Sequence, residues 1–197
     1  MKHFVAWMAG LAVAVFLMTG CATQPSGPGW ITLIDGEDGL ANWNRKGDGN
    51  WRATQGAIQI DGKTNKDAAF LHSKNSYTDI ELFVEFWADE SANSGVFLRI
   101  TNTKLINTKG GYEVQIFDKN PPFPTASMVN LVQAAPTFKA AGKWNRFHIT
   151  AKGPRMTVDM NGERAVEVSN NAFASGPIRL QYNTGTVKFR KVQIKPL

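Results

Sequence analysis

From residue 30 onward the chain repeats one pattern: short stretches of β-branched and aromatic residues, interrupted by Gly, Asn, Asp or Pro. No window of about a dozen residues holds a clean helical period, so the pattern predicts strands. Eleven are expected, at residues 31–34, 57–60, 68–72, 79–88, 95–100, 112–117, 144–151, 155–160, 165–168, 177–181 and 186–194. Met160-Asn161-Gly162-Glu163 reads as a hairpin, because both central residues of a type I′ turn need positive φ and Asn-Gly tolerates it best. Many antiparallel strands with tight turns imply an all-β sandwich or barrel. Residues 120–135 contain Pro121-Pro122-Phe123-Pro124 and predict a long loop, of the kind that often borders a site.

Period-two parity assigns faces within these strands. Ile80, Leu82, Val84 and Phe86 share a core face, leaving Glu81, Phe83, Glu85 and Trp87 opposite. Val96, Leu98 and Ile100 are core, against Phe97 and Arg99; Tyr112, Val114 and Ile116 are core, against Glu113, Gln115 and Phe117. A face mixing Glu85, Trp87, Arg99, Glu113 and Gln115 suits a sugar site, with aromatic rings for C–H patches and polar groups for hydroxyls. The same residues also suit a solvated outer face with a cross-strand ion pair such as Arg99 with Glu113.

Composition narrows the class. The 197 residues are 43% hydrophobic and 11% aromatic, the balance of a chain that folds. A single cysteine excludes an intrachain disulfide. The net charge of +6 is spread along the chain without a basic run or a nucleic-acid motif, so no nucleic-acid partner is expected.

The cysteine carries its own signal. Met1-Lys2-His3 and the apolar run of residues 4–17 form the charged and greasy regions of an export leader, too short for a comfortable membrane span. Leu17-Met18-Thr19-Gly20-Cys21 resembles the lipobox of bacterial lipoproteins. That resemblance implies cleavage before Cys21 and its acylation, placing the protein at the bacterial cell envelope on a lipid anchor, facing the periplasm or the exterior. Residues 1–20 are then a signal peptide, 21–29 a tether and 30–197 the folded domain.

Several blocks in order carry a second resemblance. They are Ala92-Asn93-Ser94-Gly95-Val96-Phe97-Leu98-Arg99, Gly111-Tyr112-Glu113-Val114-Gln115-Ile116-Phe117-Asp118, Gly142-Lys143-Trp144-Asn145, Asn161-Gly162, Gly176-Pro177-Ile178-Arg179-Leu180-Gln181 and Val187-Lys188-Phe189-Arg190. With Leu33-Ile34-Asp35-Gly36, Trp43 and Trp51 at the start, residues 30–197 resemble the 3-keto-disaccharide hydrolase domains. The resemblance implies a concanavalin- or laminin-G-like jelly-roll β-sandwich of antiparallel strands. It also implies cleavage of glycosides already oxidised to the 3-keto form by a partner oxidoreductase, by elimination and hydration. On the matching positions Glu113 is the first candidate for acid/base work, Asp118 the second, and Arg99 the stabiliser of negative charge. Asn93, Gln115, Glu85, Trp87 and Gln181 are the candidate sugar-binding residues. The chain departs from the family pattern twice: Thr125-Ala126-Ser127-Met128-Val129-Asn130 lacks a frequent tyrosine, and Leu180-Gln181-Tyr182-Asn183-Thr184-Gly185 lacks a frequent histidine.

Other chemistry finds less support. His72 and His148 lie too far apart for a local metal motif, and a calcium loop counted from Asp35 meets Lys46 at its twelfth position. No cofactor or metal is assigned, although a divalent ion held by carboxylates assembled across the fold stays open. A serine-hydrolase elbow, P-loop or dinucleotide fingerprint is absent from the sequence. Three classes remain: a 3-keto-glycoside lyase or hydrolase, a non-catalytic carbohydrate-binding surface lipoprotein, and an interaction module.

Overall fold

A computed structural model describes residues 25–103 and 109–197. Cys21 lies outside the described residues, and with it the segments expected to form a leader and a lipid anchor. Thirteen strands occur among the described residues: β1 Ile31–Asp35, β2 Trp43–Lys46, β3 Arg52–Thr54, β4 Ala57–Ile60, β5 Ala69–Ser73, β6 Ile80–Ala88, β7 Asn93–Leu98, β8 Tyr112–Ile116, β9 Trp144–Lys152, β10 Arg155–Met160, β11 Glu163–Ser169, β12 Arg179–Thr184 and β13 Val187–Pro196. One sheet runs β11-β10-β9-β6-β13-β4-β3, with β1 also on β13; the other runs β2-β5-β12-β7-β8. Every strand pair is antiparallel, giving the jelly-roll sandwich that the strand pattern and the resemblance imply.

All eleven expected strands are present, with ends moved by up to three residues. The two additional ones, β2 and β3, each close one end of a sheet. An edge strand pairs on one side only, so it can be as short and polar as Trp43-Asn44-Arg45-Lys46 without showing an apolar alternation. The Asn161-Gly162 hairpin forms as expected, with φ of 55° and 91°.

The core lies between the sheets. Leu82, Val84 and Phe86 of β6 meet Val96 and Leu98 of β7 and Val114 and Ile116 of β8, all fully buried. The rings of Phe86 and Phe147 pack 4.6 Å apart. Inward side chains are therefore saturated with apolar contacts, and chemistry is left to the two outer faces.

The long proline-bearing loop has a definite seat. Its segment around Met128 runs along the otherwise free edge of β8: Gln115 N–H donates to Ser127 O, Ala126 N–H to Gln115 O, and Val129 N–H to Glu113 O. The loop thereby covers that edge and fixes the backbone at Glu113 and Gln115. No helix among the described residues is long and apolar enough to cross a membrane.

Candidate functional site

The outer face of the five-stranded sheet holds two parallel cross-strand rows. The register aligns Asn44, His72, Arg179, Phe97 and Glu113 in the first. It aligns Lys46, Phe70, Gln181, Gly95 and Gln115 in the second. Since inward positions on these strands are Leu71, Leu180, Val96 and Val114, alternation alone sends the polar set outward. Asn93, one pleat beyond Gly95, belongs to the same face.

Aromatic rings support a buried cation at the centre. The Arg179 side chain has no exposed surface, and its guanidinium carbon lies 4.4 Å from the Phe70 ring centroid and 5.8 Å from that of Phe97. Burial pulls its pKa down to about 10, which leaves it charged at neutral pH. His72, 2% exposed, stands beside it, pushed down to about 4 first by burial and then by the charges of Arg179 and Lys46. His72 is therefore neutral above mildly acidic pH.

Glu113 is the one carboxylate in the two rows. It is 8% exposed, has no hydrogen-bond or ion-pair partner among the described residues, and burial raises its pKa to about 7. Gly95 makes room for it. A Cβ at that position would lie 2.9 Å from Glu113 Oε1 and 3.3 Å from Gln181 Oε1, so both oxygens converge over a glycine. Gln115 Oε1, Gln181 Oε1 and both ring nitrogens of His72 are buried without a hydrogen-bond partner among the described residues. Buried polar atoms are normally satisfied, so this concentration makes the face the candidate binding surface.

The structure separates other candidates from this group. Glu85 and Trp87 point from the outer face of the opposite, eight-stranded sheet, so the single mixed face expected from parity is in fact two. Glu85 accepts from Arg146 Nε at 3.0 Å and from Arg190 Nε and Nη2 at 2.7 and 2.9 Å. Burial would raise its pKa, but these hydrogen bonds outweigh it and hold the carboxyl low. Arg190 stacks on Trp144 at 4.1 Å and Lys188 on Trp87 at 5.3 Å. That face is internally paired.

Arg99 is also displaced from its expected place. Its φ of 52° ends β7 at Leu98 and breaks the alternation that would set Arg99 beside Glu113. The guanidinium instead donates to Thr78 O, Gly153 O and Phe173 O and pairs with Asp79 at 3.1 Å, stitching loops at one end of the sandwich. Asp118 is equally committed: it accepts from Thr125 Oγ1 at 2.6 Å and from the N–H groups of Ala140 and Ala141. It anchors the loop that covers β8, away from the two rows.

Of the expected site residues, Glu113, Gln115, Gln181 and Asn93 come together; Glu85, Trp87, Arg99 and Asp118 do not join them. Arg179, His72 and Phe70 join from β12 and β5 without having been singled out. Their signal is the alternation of Phe70 and His72 with Ala69 and Leu71, and of Arg179 and Gln181 with Leu180 and Tyr182. Among the described residues no three His, Cys, Asp or Glu side chains are gathered so as to hold a metal ion.

Solved structures share this architecture. Two Parabacteroides distasonis proteins provisionally described as glycosyl hydrolases superpose with TM-scores of 0.68 and 0.72, at 22% and 18% identity. The matches cover 85% of this chain and 99% of the first, and 86% of this chain and 94% of the second. The carbohydrate-binding module CBM66 from Bacillus subtilis matches at 0.56 and 14% identity, over 85% of this chain and 95% of its own. At these identities the likeness establishes the fold. A search of curated proteins found no match. The sequence itself is more specific: over residues 29–195 it fits the profile of the 3-keto-alpha-glucoside-1,2-lyase-like domain, and the chain belongs to that family.

Proposed function

We propose that the protein cleaves glycosides carrying a ketone at C3, with Glu113 as the proton-transfer group. The observation that carries this reading is the state of Glu113: buried, unpartnered among the described residues and raised to about 7, where a carboxylate is an effective base at neutral pH. A C3 ketone acidifies the C2 proton. Glu113 removes that proton and the electron pair forms a C2–C3 enolate; its collapse breaks the C1–O bond to leave an enone, and the departing oxygen takes the proton from the Glu113 carboxyl to leave as an alcohol. Water then adds at C1, so the net result is hydrolysis of the glycosidic bond.

The remaining residues fit the demands of those steps. Arg179, charged and largely shielded from water, is the group in the rows suited to the enolate oxygen, replacing Arg99 in that role. Gln181 and Gln115 present acceptor oxygens to sugar hydroxyls, and neutral His72 offers one N–H donor and one acceptor nitrogen. Phe97, fully buried between Arg179 and Glu113, holds the two groups apart. A sugar oxidoreductase would supply the ketone, and acylated Cys21 would hold the domain at the cell envelope. Mass spectrometry showing no lipid on the wild-type protein would remove that anchor from the reading.

The test compares wild type with Glu113→Gln on matched 3-keto and unoxidised glycosides. Turnover confined to the keto form and lowered about 10²- to 10⁴-fold by the substitution supports the proposal. The unpartnered amide oxygens favour a second reading, carbohydrate binding without cleavage, which the CBM66 likeness makes concrete. Binding that persists with no cleavage of any keto form decides for that second reading.

A further inference from the structure

At the end of the first row away from Glu113, the face opens into a cleft of about 380 Å³ whose walls include Asn44, Lys46, His72, Lys74, Ser76 and Thr103. We propose that this cleft receives an acidic sugar unit, bearing a carboxylate or a sulfate, so that the glycoside taken by this site is anionic. The inference rests on the reading of this face as the glycoside site.

The charge pattern is the first argument. Arg45, Lys46 and Lys74 all line the cleft, and among the described residues no Asp or Glu does. None of the three takes part in an ion pair among the described residues. The outer face of the other sheet is treated differently: Arg146 and Arg190 share Glu85, while Arg155 and Arg164 share Glu167. Those four arginines are neutralised by the protein's own carboxylates. The cations in the cleft are left for something else, and charges of one sign lining a cleft raise the local concentration of the opposite sign.

His72 is the second, independent observation. It lines the same cleft with 2% of its surface exposed and both ring nitrogens unsatisfied among the described residues. A histidine satisfied by the protein would show a carbonyl or carboxylate on one nitrogen. Here burial first, and then the flanking charges of Arg179 and Lys46, keep the ring neutral, so it can exchange hydrogen bonds with hydroxyls without adding to the charge. The cleft thus combines fixed positive charge with a neutral polar wall, which matches a polyhydroxylated ring carrying one anionic substituent.

The experiment is titration calorimetry on the intact chain with three matched disaccharides: neutral, uronic acid-containing and sulfated. At low salt at least one acidic sugar is expected to bind about tenfold tighter than the neutral one, with the advantage shrinking as salt is raised. Which acidic arm binds identifies the substituent. A Lys46→Met, Lys74→Met double variant is expected to bring the acidic arm down toward the neutral arm. Equal affinity for all three, binding of none, or a preference that survives the double variant overturns the proposal. Cleavage of a neutral 3-keto-glycoside by a chain that binds all three alike removes the acidic subsite and keeps the lyase reading. Selection of acidic sugars by a chain that cleaves no keto form does the reverse.

Discussion

Arg179 and Glu113 face the same side of the five-stranded sheet in one cross-strand row, with Phe97 between them. Neighbouring strands are about 4.8 Å apart, so the two backbones are separated by about 10 Å, the width of a sugar ring with its substituents. A buried cation and a buried carboxyl at contact distance would pair and silence each other. With a phenylalanine interposed, Glu113 keeps its raised proton affinity and Arg179 its charge. In the proposed reaction that spacing would separate the base for the C2 proton from the cation placed for the enolate oxygen.

The separation predicts a pH profile. If deprotonated Glu113 is the base, kcat/KM on a 3-keto-glycoside should rise through about pH 7 and level off above it, as the carboxyl loses its proton. An acidic limb centred near pH 4.5, the ordinary glutamate range, would show that burial does not tune this group and would remove its support as the base.

Gly95 offers a test that leaves every polar group in place. A methyl group added there falls 2.9 Å from Glu113 Oε1 and 3.3 Å from Gln181 Oε1, both ends of flexible side chains. Gly95→Ala should therefore fold, with stability changed by no more than about 1 kcal/mol, because the side chains swing aside. Turnover should fall at least about tenfold, since small misplacements of a catalytic group are expensive. Unchanged turnover with normal folding would show that the convergence over Gly95 has no part in the chemistry.

The two outer faces should respond in opposite ways. Glu85 is 1% exposed and neutralises Arg146 and Arg190, so Glu85→Gln strands two cations and should destabilise the fold by about 3 kcal/mol or more. Molecules that remain folded should turn over substrate at the wild-type rate, because this face lies across the sandwich from the two rows. Denaturant melts alongside kcat per folded molecule check both halves, and a large drop in kcat at full folding would return Glu85 to the site.

Much of this was legible in the sequence, and the failures have identifiable causes. Strand existence follows from apolar alternation, and parity puts Glu113 and Gln115 on an outer face correctly because β8 keeps strict period two. Parity says which side of its own strand a residue occupies, but not which sheet the strand joins. Glu85 and Trp87 were therefore pooled with residues on the far side of the sandwich. Arg99 failed for a local reason, its positive φ, which an arginine in a strand-like run does not announce. Asp118 reads as a catalytic carboxylate in sequence because its backbone N–H partners, Ala140 and Ala141, are more than 20 residues away. Arg179 and His72 were visible in the alternation, but their meaning depends on Phe70 and Phe97 closing around the guanidinium.

The last expectation concerns stability and joins the two titrating groups of the row. Glu113 has a folded pKa of about 7 against an ordinary 4.5, so the folded state holds an extra proton between those values and stability falls as pH rises through that window. His72 has a folded pKa of about 4 against 6.5, so the folded state holds a proton fewer there and stability rises as pH climbs from about 4 to 6.5. Each shift corresponds to about 2 to 4 kcal/mol, with opposite signs over nearly the same range, so in the wild type they largely cancel. Single variants should unmask them. Relative to wild type, Glu113→Gln should gain stability progressively from pH 4.5 to 7, losing activity as it does so, while His72→Gln should gain most at pH 4 and little at pH 7. Urea melts of the three proteins at half-unit intervals of pH would read the difference directly. Two variants with flat difference profiles would mean that neither group is held away from its ordinary value, and that the row is more open to water than its geometry implies.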